Sequence, residues 1–342
     1  MKNRNLNLDV IRCVALLFVL CVHFFLHAGF YNYPLAGADM YVGVIMRNIF
    51  TSCVPLFIML TGYLMNKKTL STGYFWGLKK VIILYLLSCI PLWIFRLSYL
   101  GEPFSIKAII KSVLSCDGYS WYVAMYFGLY LLIPFLNLIY NNLEDKKQKQ
   151  LLILVLAILT ALPSITNLVG FSVVTEFWLD LYPITYYFIG AYLSEYTDSI
   201  NLSAWKAFLL YVVTHLIGGT FSFLVANNAY YYEANIFTDW GNILTTITTP
   251  MLFIFLLKCN FEKLPGFIGK SISFVSLVSL QLYLVSLISD TIVYNVFNMF
   301  VVYFSEKLVL FPVPILLSFS ISLVIASIIH IVYKGITKIS AR

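Results

Sequence analysis

Asp9, Arg12, His23 and His27 stand in one otherwise apolar run, Leu8 to Ala28. Imidazole exchanges protons near neutral pH and serves as a general acid or base, and guanidinium binds phosphate or carboxylate. In a helix, Arg12 and His23 are close to three turns apart, offset by only ~20° and separated by roughly 16–17 Å along one stripe. Asp9 falls three residues before Arg12 and His27 four after His23, so all four fall near one face. Ionisable groups cost several kcal/mol at membrane depth and therefore face a protein interior or a water-filled cavity. The competing reading is packing: Arg12 snorkels to headgroups with Asp9 as partner, and His23 is a hydrogen-bonded core residue.

The elements that hold these groups follow from composition. The chain has 342 residues, 61% apolar and 11% charged. Soluble domains carry about 25% charged residues, so the chain reads as an all-α, polytopic membrane bundle forming one domain over residues 1–342. The formal charge of +7 bears on topology and anionic headgroups before nucleic acid. The first apolar run is of full span length and contains Arg12, unlike a cleavable signal. The six cysteines (13, 21, 53, 89, 116 and 259) form no metal-ligand pair; five read as small packing residues, and Cys116 alone falls in a predicted outer loop without an obvious partner.

Hydropathy predicts ten helices, near 8–28, 43–65, 79–100, 119–140, 150–168, 177–196, 205–226, 241–259, 271–294 and 308–335. Residues 291–304 are read as an interfacial segment. With the N-terminus inside, sixteen lysines and arginines lie on inner segments and five (Arg47, Arg96, Lys107, Lys111, Lys307) on outer ones, leaving Arg12 within the membrane. That bias predicts both termini in the cytoplasm, Arg12 on the inner third of the first helix and His23 on the outer third. Asp290 and most other acids fall on the outer side as solvated loop charges. Glu176 and Asp180 open the sixth helix, where carboxylates suit the helix dipole.

Other features read as packing or as site. Pro55 is expected to bend the second helix, and Gly62 to admit a close neighbour. Lys67, Lys68, Lys79 and Lys80 fit positive-inside topology and also a rim for polyphosphate. Trp121-Tyr122 and the 227–240 loop, with Tyr230, Tyr231, Tyr232 and Trp240, read as interfacial aromatics or as a sugar-binding surface. His215 and His330 read as packing residues.

In order along the chain, these pieces resemble the integral-membrane acyltransferase 3 family, in its compact ten-span form. The resemblance rests on the Arg12 and His23 spacing, Val54-Pro55-Leu56-Phe57 through Thr61-Gly62-Tyr63, Trp121-Tyr122, Tyr130 through Pro134, Tyr186 through Gly190, and the stretch ending at Tyr283. Thr61 replaces the usual serine, Ser286 stands where many relatives have a second histidine, and Lys79-Lys80 stands where relatives often have arginines.

The resemblance implies a bacterial inner-membrane enzyme that moves an acyl group, foremost acetyl, from cytoplasmic acyl-CoA to a hydroxyl of a cell-envelope or exported sugar. Acyl-CoA is then a co-substrate, and no cofactor is expected to stay bound. His23 and Arg12 are the catalytic candidates, and Lys79, Lys80 and Arg12 the donor-binding ones. Asp9, Thr61, Tyr63, Trp121, Tyr122, Tyr283 and Glu176 are candidates for the pocket. The rival reading is a polysaccharide or lipid-linked sugar transporter, which the intramembrane charges also suit.

Overall fold

The computed structural model describes residues 5–116, 118–166, 170–171, 173–226, 232, 237 and 239–339. Helices run in the order α1 (Leu6–His27), α2 (Gly37–Phe50), α3 (Cys53–Met65), α4 (Thr72–Trp76), α5 (Leu78–Ser98), α6 (Ile106–Ser115), α7 (Trp121–Asn141) and α8 (Lys146–Ala161). They continue as α9 (Pro163–Thr166), α10 (Tyr182–Tyr196), α11 (Ala204–Ala226), α12 (Ile243–Lys258), α13 (Gly266–Leu277), α14 (Ser279–Phe300), α15 (Phe304–Val309) and α16 (Pro312–Ile339). Among the described residues, eight stretches are long and apolar enough to cross a bilayer. The chain is an all-α, multi-pass membrane bundle.

Every segment expected to span contains a helix, but four differ in form. Two of them, α10 and α12, have only 15 and 16 residues, short of the ~20 that a straight crossing takes. The expected second span divides into α2 and α3 at Thr51 and Ser52. Pro55 causes this: its ring clashes with the carbonyl four residues back, at Thr51. It then sits in the first turn of α3, where a missing N–H costs little. The proline therefore interrupts the helix one turn upstream, while Gly37–Met65 stays one apolar stretch long enough to span.

The expected ninth span divides too. Helix α13 stops at Leu277, Val278 leaves helical geometry, and α14 starts at Ser279 and runs to Phe300. Residues 291–300, expected to be interfacial, are thus the last turns of α14. Val293 and Tyr294 are buried there because these turns still pack on the bundle.

Helix α1 is the central post, touching α2, α3, α12, α13, α14 and α16. Ile11, Ala15, Leu16, Phe24 and Phe25 are fully buried on it. Beside it, α3 and α10 cross backbone to backbone. A Cβ at Gly62 would fall inside the Tyr187 carbonyl, and one at Gly190 inside the Met59 carbonyl. Neither obstacle is a flexible side chain, so the helices must separate to admit a methyl group. Gly62→Ala should destabilise by about 1–3 kcal/mol, lowering the yield of monodisperse protein in detergent and its unfolding temperature. An unchanged unfolding temperature would mean the crossing is looser than this.

Candidate active site

The polar stripe of α1 faces a cavity of about 320 Å³ whose wall includes both Arg12 and His23. Helix α3 contributes Cys53, Phe57 and Thr61, and α7 contributes Trp121, Tyr122 and Tyr126. The start of α14 closes a further side with Ser279, Leu280 and Tyr283. One side chain at each end of the cavity is held by groups distant in sequence.

At the Arg12 end, the guanidinium Nη1 donates to Ser276 Oγ at 3.0 Å, and Ser276 donates to Asp9 Oδ1 at 2.6 Å. Ser273 donates to the other Asp9 oxygen at 2.8 Å. Direct separation of Arg12 Nη1 from Asp9 Oδ1 is 4.0 Å. Ser276 therefore bridges Asp9 to Arg12, and Asp9 is buried behind the arginine. The break at Val278 makes this possible, because it lets α13 lay Ser273 and Ser276 against α1 while α14 departs towards the other end.

At the His23 end, Nδ1 lies 2.8 Å from Asp290 Oδ2. Both residues are buried, at 7% and 1% exposure. Asp290 is not a solvated loop charge, as the sequence suggested. It stands midway along α14 and points at α1. A carboxylate on Nδ1 fixes the tautomer with hydrogen on Nδ1, which leaves the Nε2 lone pair available as a base. The Tyr119 ring packs on His23 with centroids 4.0 Å apart, and its hydroxyl meets His27 Nε2 at 2.5 Å. Tyr283 donates its hydroxyl hydrogen to the Tyr119 carbonyl, fixing that turn. Trp121 stacks on Trp240 at 5.8 Å, and both line the cavity.

Of the residues expected at the site, Arg12, His23, Thr61, Trp121, Tyr122 and Tyr283 line this cavity. Thr61 donates its hydroxyl to the Phe57 carbonyl of its own helix at 2.9 Å, so it turns an acceptor or its methyl group to other partners. Asp9, Tyr63, Glu176, Lys79 and Lys80 are not on the wall. Tyr63 packs near Phe253, ring centroids 5.8 Å apart. Glu176 is exposed where a 3-10 turn begins, and that turn leads into α10. Lys79 and Lys80 are exposed in the first turn of α5, with Lys79 over the Trp76 ring at 5.8 Å. Val81, the next residue, is on the wall, which puts the two lysines beside it. Sequence reasoning missed Asp290, Tyr119, Ser273 and Ser276, and it favoured an anchoring role for Trp240. Among the described residues, no group of three His, Cys, Asp or Glu side chains is placed to hold a metal ion.

The fold and the cavity define a class: a multi-pass membrane protein with a buried, carboxylate-held histidine on a cavity between its helices. The family model of the acyltransferase domain matches residues 5–331, and the chain belongs to that family, acyltransferase 3. No curated protein and no solved structure matches the chain.

Proposed function

We propose that this acyltransferase moves an acyl group, foremost acetyl, from cytoplasmic acyl-CoA to a hydroxyl of a cell-envelope or exported sugar, with His23 as general base. The observation that carries the reading is the single cavity joining Arg12 to a histidine whose Nδ1 is held by Asp290. The acceptor hydroxyl gives its proton to Nε2 while its oxygen attacks the thioester carbonyl. The tetrahedral intermediate collapses, the C–S bond breaks, and Nε2 returns the proton to the departing thiolate. Asp290 orients the ring and stabilises the imidazolium formed in between. No net proton is taken up or released.

Arg12 lies roughly 16 Å from His23 along α1, beyond reach of the reacting carbonyl. It suits the phosphates of the donor, with Lys79 and Lys80 as a basic rim beside Val81. The thin pantetheine arm fits a cavity walled mainly by apolar side chains. At the other end, the Trp121 and Trp240 faces suit the apolar face of a sugar ring.

The test is acyl transfer without a gradient. Detergent-purified protein given radiolabelled acetyl-CoA and isolated surface glycan should release CoA thiol and label the glycan. Failure with acetyl-CoA and with longer acyl-CoA donors alike would overturn the reading and turn attention to sugar transport.

A further inference from the structure

Arg47, counted in the sequence among charges at an outer span end, is buried in the last turn of α2, only 6% exposed. Its Nε donates to the Tyr31 hydroxyl at 2.9 Å and its Nη1 to Thr51 Oγ1 at 2.5 Å. Both acceptors are neutral. Among the described residues no carboxylate forms a salt bridge with it. Asp239 feels the guanidinium from further away, and burial pushes its carboxyl above the usual carboxylate range in spite of that attraction.

The neighbouring side chain is short of an acceptor too. Asn48, 1% exposed, accepts the Tyr232 hydroxyl on Oδ1 at 3.2 Å, while its Nδ2 is buried without a partner. Tyr31, having accepted from Nε, still has its own O–H to donate. Among the described residues, guanidinium Nη2, the Tyr31 O–H and Asn48 Nδ2 are therefore spare donors, next to a buried cation without a salt bridge. An unpaired buried charge and an orphaned buried donor are both costly. An anion supplies what they lack: a negative charge with two or three acceptor oxygens.

The place suits a ligand of the same enzyme. Thr51, which accepts from the guanidinium, stands two residues before Cys53 on the cavity wall, and Asp239 directly precedes Trp240, also on that wall. Tyr31 belongs to the 3-10 turn Phe30–Asn32 just beyond the end of α1, on the side of His27, and is partly exposed. We propose that Arg47, Tyr31 and Asn48 form an anion subsite for a carboxylate or phosphate carried by the acceptor, so that the acceptors are acidic or phosphate-bearing sugars. That the ligand is an acceptor rests on the acyl-transfer reading. The anion-binding chemistry does not.

The experiment is thermal unfolding of the full chain in detergent at constant ionic strength, titrated with glucuronate, glucose 1-phosphate or glucose. At least one acidic sugar should raise the unfolding temperature saturably, and glucose should not. The sugar with the stronger effect tells whether carboxylate or phosphate is the natural group. Arg47→Gln should weaken that binding roughly tenfold or more, and Tyr31→Phe roughly threefold. Should Arg47→Gln fail to fold, Tyr31→Phe decides alone. No saturable shift with either anion, an equal shift with glucose, or unchanged affinity in the folded variants would overturn the subsite. Anion binding that persists in a protein unable to transfer acyl groups would instead sink the acyl-transfer reading and leave the subsite standing.

Discussion

His23→Ala should lower acyl transfer to surface glycan by roughly 10²–10⁴-fold or more at matched expression. The loss is large because the cavity offers no substitute base at that point. His27 is one turn further along α1, but its Nε2 is occupied by the Tyr119 hydroxyl and its ring stacks on Tyr294 at 5.0 Å. Tyr119 lies against His23, but at neutral pH its phenol is a donor, not a base. The Arg12 end is untouched by the substitution, so acyl-CoA should still bind. The measurement is label from acetyl-CoA incorporated by membranes, alongside acyl-CoA binding by the purified variant. Equal incorporation by both proteins would remove His23 from the chemistry. Loss of donor binding together with turnover would mean that the variant had collapsed the cavity and tested nothing about proton transfer.

How far the site was legible in the sequence depends on what each residue needs in order to function. Arg12 and His23 were legible because both sit on one helix, where a period of 3.6 fixes their relation without tertiary knowledge. Gly62 was legible as a close-approach position, although only the fold shows that it meets α10, where Gly190 in turn meets α3. Asp290 was not, and the cause was a misplaced helix end. Dividing the apolar run at 294 put Asp290 one turn from a span terminus, where a carboxylate is unremarkable. With α14 continued to Phe300, the same residue stands midway along a 22-residue helix, where an acid demands a partner. The apolar residues 291–300 carried that signal. Ser273 and Ser276 were less accessible, since a serine in a membrane helix is ordinary and its use here depends on the break at Val278. Trp240 came out of a loop rich in aromatics, and nothing local distinguishes a cavity wall from an anchor. Tyr230 and Tyr231 of that loop lie outside the described residues.

Asp290→Asn is the sharper test of the mechanism, because it changes charge and tautomer while keeping shape. The carboxylate can only accept from Nδ1, so the imidazole must hold its hydrogen there and present Nε2 unprotonated. The asparagine amide can instead donate to Nδ1. The ring then carries its hydrogen on Nε2, the wrong state for taking a proton from the acceptor. Even with the correct tautomer, the variant lacks the negative charge that stabilises the imidazolium between the two proton transfers. In serine proteases the corresponding substitution costs about 10⁴-fold in kcat, and a fall of roughly 10²–10⁴-fold is expected here. The change should appear in kcat, with the KM for acyl-CoA nearly unchanged, since Arg12 and its serine network lie at the far end of the cavity. An Asp290 that merely packed would behave otherwise: the folded fraction would drop, and the protein that did fold would turn over normally. Oδ1 sharpens that contrast, because it is buried without a hydrogen-bond partner. A buried carboxylate oxygen without a partner is costly, so the amide variant of a catalytic Asp290 should fold at least comparably, where a packing role predicts a lower folded fraction. Full turnover by a well-folded Asp290→Asn protein would leave the 2.8 Å contact to His23 without a catalytic role.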